Sequence, residues 1–222
     1  MKSFQIVENK IKESDFFLGY LEKTKGPDIV YFLSAYLSAA RSITFALQVA
    51  MKGIHDFDEW YNLQQQKLKE DPIASYLLEA RNYTIHEGGY AIYSPLFFSS
   101  SQQALFFDTI PGKKQLKIPK EEIVKVCRQY MITLLQITRE CFQKFGYIID
   151  PVLHFDYIIA SKKKTLEDIE YELGFPRGWT KIEGISEEQR RQMLRHEFEK
   201  DIFLIDYIFN KYLGTDRLGL NI

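Results

Sequence analysis

Residues 81–89 read Arg-Asn-Tyr-Thr-Ile-His-Glu-Gly-Gly, and the organisation of the chain follows outward from this segment. Arg81, Asn82 and His86 place a cation, an amide and a group that titrates near neutrality within six residues. The segment closes a predicted helix from Pro72 to Ile85, which stops at the two glycines. These side-chain types suit acid–base chemistry beside a phosphate.

The spacing of Arg81 and His86 limits how they can act together. At about 100° per residue, positions five apart lie roughly 140° apart around a helix. Two arrangements resolve this: the last turn loosens at Gly88-Gly89, or a second copy of the chain completes the site. A purely structural interpretation also stands, in which Arg81 and His86 complement the helix dipole and Asn82 hydrogen-bonds locally.

Size and composition indicate a globular protein of one domain, or one domain with an extension. The chain has 222 residues, of which 45% are hydrophobic and 27% charged, which excludes global disorder. A net charge of −1 gives no overall attraction to nucleic acid, so any RNA contact has to be local. Cys127 and Cys141 lie about 21 Å apart on one predicted helix, too far to bridge. Two free thiols and the absence of a signal peptide predict a cytoplasmic protein.

The apolar segment from Ile29 to Met51 carries one charge, Arg41. Serines recur along it, and we interpret it as a buried central helix rather than a membrane span. A buried arginine needs a partner. Arg41 is therefore predicted to pair with Glu79 or with a carboxylate of a second subunit. The alternative is that Arg41 is a second cation facing the same cleft as Arg81.

The remaining pattern predicts helices with one β or irregular excursion. Helices are expected at 4–25, 28–52, from Asp56 or Asp58 to 70, at 72–85, 119–145, 166–173 and 186–212, with a short strand at 154–159. Short aromatic runs between 90 and 119 predict a β-hairpin or irregular segment. It either covers a face of the bundle or forms an aromatic platform beside His86.

The other histidines do not predict a metal site. His55 stands among capping carboxylates, His154 lacks a third ligand, and His196 lies on a charged helix face. The sequence has no Gly-rich phosphate loop, Gly-x-Ser-x-Gly or His-Glu-x-x-His motif. We therefore expect no metal and no cofactor.

The motif Arg-Asn-x-x-x-His, late in a helix of a compact bundle, resembles the Arg-x(4–6)-His signature of the HEPN superfamily. In that superfamily a polar residue, often Asn, commonly follows the arginine. The resemblance covers roughly residues 4–148. It implies a mostly α fold: a HEPN-like up-and-down helical bundle at 1–148, with a small β or irregular insert at about 90–118. Residues 149–222 would form a C-terminal helical extension that packs on the bundle and ends in a long helix.

The resemblance also implies a function, because catalytic HEPN proteins are metal-independent endoribonucleases that usually act as homodimers. His86 would be the general acid–base group, Arg81 would stabilise phosphoryl charge, and Asn82 would orient the histidine or the phosphate. Arg41 and Tyr90 are further candidates for substrate binding. We expect a homodimer of the toxin or defence type, with RNA and an antitoxin or other protein as candidate partners and no membrane contact. The alternative is a non-catalytic HEPN-like module that binds a nucleotide, RNA or protein partner.

Overall fold

The computed structural model describes residues 3–93, 105–200 and 203–221, and these residues are mostly helical. Helix makes up 68% and strand 2%, which confirms the predicted mostly α class with a small irregular insert. The helices are α1 (Gln5–Lys23), α2 (Ile29–Met51), α3 (Phe57–Glu70), α4 (Pro72–Asn82), α5 (Ile123–Ile149), α6 (Pro151–Ala160), α7 (Leu166–Glu172), α8 (Glu187–Glu199) and α9 (Phe203–Leu213). The chain divides into two compact units, 5–137 and 1–4 with 138–222, so the division falls inside α5.

In unit 5–137, α1 and α2 pack along each other and α2 supplies much of the core. Its buried residues recur at helical spacing: Leu33, Tyr36, Leu37, Ala39, Ala40, Ile43, Thr44, Ala46, Leu47, Ala50 and Met51. The Tyr36 hydroxyl donates to the carbonyl of Cys127 at 2.6 Å, which ties α2 to α5. Within the described ranges, α2 is also the one helix long and apolar enough to cross a membrane, and 44% of its most apolar window is buried.

Asp-Pro pairs begin two helices, only one of which the sequence analysis predicted. Asp71 caps α4 through its side chain, which accepts from the Ile73 and Ala74 amides. Asp150 caps α6 in the same way. The predicted strand at 154–159 is therefore wrong, because these residues belong to a helix started by Asp150 and Pro151.

One helix start lacks a side-chain cap, and one further boundary differs from prediction. Asp56 is the residue before α3, but it has a left-handed backbone (φ 61°) and makes no capping hydrogen bond; its carboxylate contacts His55 at 2.7 Å. The predicted helix 186–212 is two helices, α8 and α9. The start of α8 matches the prediction, since Ser186 and Gln189 form a capping box.

The excursion after α4 contains two short antiparallel strands, β1 (Ile92–Tyr93) and β2 (Phe106–Phe107). Tyr76 of α4 holds β2 in place: its hydroxyl donates to the Asp108 carbonyl at 2.6 Å and its ring packs edge-on against Phe107. The described part of the excursion therefore covers a face of α4. The predicted aromatic run 96–98 lies outside the described residues.

The unit containing 138–222 holds its own buried core and ion pairs. Phe155, Ile158, Leu166, Ile169 and Leu194 form an apolar cluster between α6, α7 and α8. A second group is ionic: the Arg217 guanidinium contacts Asp150 and Asp206, and both Arg217 and Asp150 are almost fully buried. Burying either charge without its partner would be unfavourable, so the stability of each buried residue depends on the presence of the other.

The carboxyl of Asp168 gives a pH-dependence prediction for α7. A hydrogen bond from the Thr165 amide, and then contact with Arg177, lower its pKa to about 2. Because this pKa lies below the unfolded value of about 3.9, the resulting stabilisation is present above about pH 4 and is lost as the pH falls through 2. We expect a ¹³C NMR titration to place the Asp168 midpoint near 2 and Arg177→Gln to raise it. A midpoint near 3.9 in the wild type would contradict this.

Candidate functional site

The end of α4 widens where the candidate residues lie. The α-helical pattern stops at Asn82, residues Tyr83–Glu87 form a π-helix, and Gly88 follows with a left-handed backbone (φ 71°). Hydrogen bonds in a π-helix join residues five apart rather than four, so the turn is wider. Because the turn is wider, positions 81 and 86 lie closer together around the helix axis than the roughly 140° expected for a regular α-helix. The loosened last turn, one of the two predicted arrangements, is thus present in a single chain.

Gly89 is needed for the close approach of the backbone to Tyr83. A Cβ at position 89 would lie 2.2 Å from the Tyr83 ring, far inside van der Waals contact. The ring therefore lies directly over the glycine backbone. This contact and the left-handed Gly88 explain why two glycines end the segment.

The Arg81 guanidinium is only partly engaged. Its Nη1 donates to the Asn82 side-chain oxygen at 3.3 Å, and its buried Nε makes no hydrogen bond within the described residues. Six other arginines contact carboxylates: Arg128, Arg177, Arg190, Arg191, Arg195 and Arg217. Arg81 has no such contact in the described ranges, so the donors of its Nη atoms, unlike the buried Nε, remain available to an anion.

Among the described residues, His86 lacks a hydrogen-bond or ion-pair partner, unlike the other three histidines. His55 contacts Asp56 at 2.7 Å, His154 bonds to the Tyr147 carbonyl at 2.8 Å, and His196 contacts Glu199 at 3.4 Å. His86 is exposed on the π-helix and forms no hydrogen bond or ion pair with any described residue. Its imidazole is therefore accessible to a substrate.

The other two predicted contributors are Arg41 and Tyr90. Arg41 donates to the Thr44 hydroxyl at 2.7 Å, and its guanidinium lies 4.3 Å from the centre of the Phe45 ring. The predicted Arg41–Glu79 pair is wrong, because Glu79 binds Lys113 at 2.7 Å instead. Arg41 lines a cavity whose walls do not include Arg81, Asn82 or His86. Tyr90 is 37% exposed just after the glycine pair.

The remaining reactive side chains offer no competing centre in the described part of the chain. Cys127 and Cys141 are free and buried, and burial raises both thiol pKa values, that of Cys141 to about 12. A protonated, buried thiol is a poor nucleophile. Among the described residues, no three His, Cys, Asp or Glu side chains come together as metal ligands.

Comparison with known proteins gives one match. A sequence model of the family described as "Bacteriophage lambda protein ea47" matches residues 26–111. This part of the chain is similar to that phage protein. The matched range runs from before α2 to beyond β2 and contains all five candidate residues, Arg41, Arg81, Asn82, His86 and Tyr90. No curated protein and no solved structure has a significant match to the chain.

Proposed function

We propose that the protein is a metal-independent endoribonuclease of the toxin or defence type, with Arg81, Asn82 and His86 at its site. The single observation that carries the proposal is that Arg81 and His86 have no carboxylate partner among the described residues, whereas most arginines and the other histidines are engaged. In a purely structural helix end, internal partners would be expected to occupy both side chains.

The chemistry follows from the side chains themselves. His86 would remove the proton of a ribose 2′-hydroxyl or protonate the leaving 5′-oxygen. Attack of the 2′-oxygen on phosphorus forms a cyclic phosphate and breaks the P–O5′ bond. Arg81 would bind the phosphoryl oxygens through N–H donors, and Asn82, which already accepts from Arg81, would hold the guanidinium in place. These steps need no metal or cofactor.

The proposal includes a homodimer, because a second His86 would supply the other proton transfer. An exposed apolar stripe on α2 supports the dimer, because Tyr31, Phe45 and Val49 are at least half exposed along one face. Ser38 and Ser42 lie between them, and small residues let two helices approach closely. RNA would be the substrate, an antitoxin or other protein a further partner, and the cytoplasm the location.

The test is incubation of a mixed RNA substrate with the purified protein in excess EDTA, compared with the same reaction containing Mg²⁺. We expect cleavage at similar rates under both conditions, because the chemistry rests on side chains. If the protein is inert toward RNA at high concentration, the RNase proposal fails and the non-catalytic binding module becomes the better interpretation. Cleavage only with Mg²⁺ would also overturn it.

A further inference from the structure

Arg41 borders a separate cavity of about 210 Å³ in unit 5–137. Helices α2, α3, α4 and α5 each contribute to its wall, so this open cavity is lined by rigid elements rather than by loops. Leu68, Ala74 and Leu78 form the apolar part of the wall. A concave site with an apolar wall and a few polar groups is the usual form of a small-molecule site.

The polar groups of this cavity are mainly hydrogen-bond donors. Arg41 and Lys69 bring two positive charges, and Gln65 brings an amide. Among the residues lining the cavity there is no carboxylate. Apart from the bond from Arg41 to Thr44, the side chains of Arg41, Gln65 and Lys69 make no hydrogen bond or ion pair with other described residues. The cavity therefore favours an anion.

Tyr130 adds a neutral donor to this set. Its side chain is 5% exposed and lines the cavity, and its hydroxyl makes no hydrogen bond within the described ranges. Burial raises the pKa of Tyr130 to about 12, although the nearby Arg41 opposes this rise. The hydroxyl consequently keeps its proton at neutral pH and can donate it to an acceptor.

The other polar neighbours are already satisfied. Tyr61 donates to the Thr44 carbonyl at 3.1 Å, and Ser75 donates to the Lys69 carbonyl at 2.8 Å. Asp71 acts electrostatically on Tyr130, but its Oδ1 accepts the Ile73 and Ala74 amides at the start of α4. The groups that still have free donors are therefore Lys69, Tyr130, Gln65 and Arg41, which is engaged only through one Nη1 bond to Thr44 and its contact with the Phe45 ring.

We propose that this cavity binds the phosphate group of a small phosphate monoester, with Arg41 and Lys69 balancing its two negative charges and Tyr130 donating to a third oxygen. A phosphate monoester carries nearly two negative charges at neutral pH and has three acceptor oxygens, which matches two cations and additional donors better than a carboxylate does. The apolar wall would contact the substituent on the phosphate. This site does not depend on the proposed RNase activity, since none of the three residues of that site lines it.

The test is a ³¹P NMR titration of the full-length protein with inorganic phosphate at constant ionic strength. We expect saturable binding with a millimolar dissociation constant, Arg41→Gln to weaken it at least about tenfold, and Tyr130→Phe to weaken it about fivefold. Arg139→Gln is the matched control, because Arg139 also donates to a threonine hydroxyl (Thr215, 3.1 Å) but lies outside the cavity. It should bind like the wild type.

Three outcomes would overturn the proposal. The first is absence of saturable phosphate binding to the wild type up to about 20 mM. The second is equal binding by the wild type and Tyr130→Phe, a variant that removes one hydroxyl and keeps the buried ring. The third is acetate binding as tightly as phosphate at the same ionic strength, which would indicate a carboxylate site.

Discussion

Replacing His86 by alanine is expected to reduce RNA cleavage in EDTA by about 10²- to 10⁴-fold, the usual contribution of one general acid–base group. His86 is exposed and makes no hydrogen bond with a described residue, so its truncation removes a reactive group without removing a structural contact. We therefore expect the free energy of unfolding to change by less than about 0.5 kcal/mol. The measurement is the single-turnover cleavage rate, with a thermal melt of each variant.

His196→Ala is the matched control for this experiment. His196 is also exposed on a helix and also has an arginine five residues before it, Arg191. Here, however, both partners are engaged, since His196 contacts Glu199 and Arg191 contacts Asp156. Its cleavage rate should equal that of the wild type. Equal rates for wild type and His86→Ala would show that this histidine does not transfer the proton, and equal losses in both variants would indicate a general effect on the fold.

Replacing Asp150 by alanine is expected to destabilise the unit containing 138–222 by about 3–5 kcal/mol. Asp150 is fully buried, contacts the Arg217 guanidinium and accepts the Val152 and Leu153 amides at the start of α6. The substitution removes one buried partner, leaves Arg217 with Asp206 alone and deletes a helix cap. Urea denaturation followed by circular dichroism measures the change.

Asp156→Ala supplies the comparison, because Asp156 also contacts arginines but is about one third exposed. Solvent screens such pairs, so its loss should cost less than about 1 kcal/mol. Equal stability of the two variants would show that burial of the Asp150–Arg217 pair does not make its loss more costly than the loss of an exposed pair.

The sequence was most informative where one local signal determined one local structure. The helix starts predicted at 72 and 186 are both present, because the cap at Asp71 and the capping box at Ser186 each depend on residues no more than three apart. The same reasoning would have found α6, since Asp150-Pro151 repeats the Asp71-Pro72 signal. A strand was predicted at 154–159 without using this signal, and the predicted strand was wrong.

Features that depend on several helices could not be predicted in this way. The Arg41–Glu79 pair was inferred from the need of a buried arginine for a partner, but Glu79 binds Lys113, from the excursion. The cavity beside Arg41 combines side chains of four helices, and no sequence spacing connects Arg41 to Tyr130. The loosening of the last turn was one of two predicted arrangements, and only the structure shows that the turn takes the form of a π-helix at 83–87.

The most direct measurement of the proposed chemistry is the identity of the new RNA ends after cleavage by the wild-type protein in excess EDTA. Attack by the 2′-hydroxyl, with His86 handling the proton and Arg81 binding the phosphoryl oxygens, predicts 2′,3′-cyclic phosphate and 5′-hydroxyl ends. Products with 3′-hydroxyl and 5′-phosphate ends would mean that water attacked the phosphorus and that the 3′-oxygen left, and would contradict the role assigned to His86.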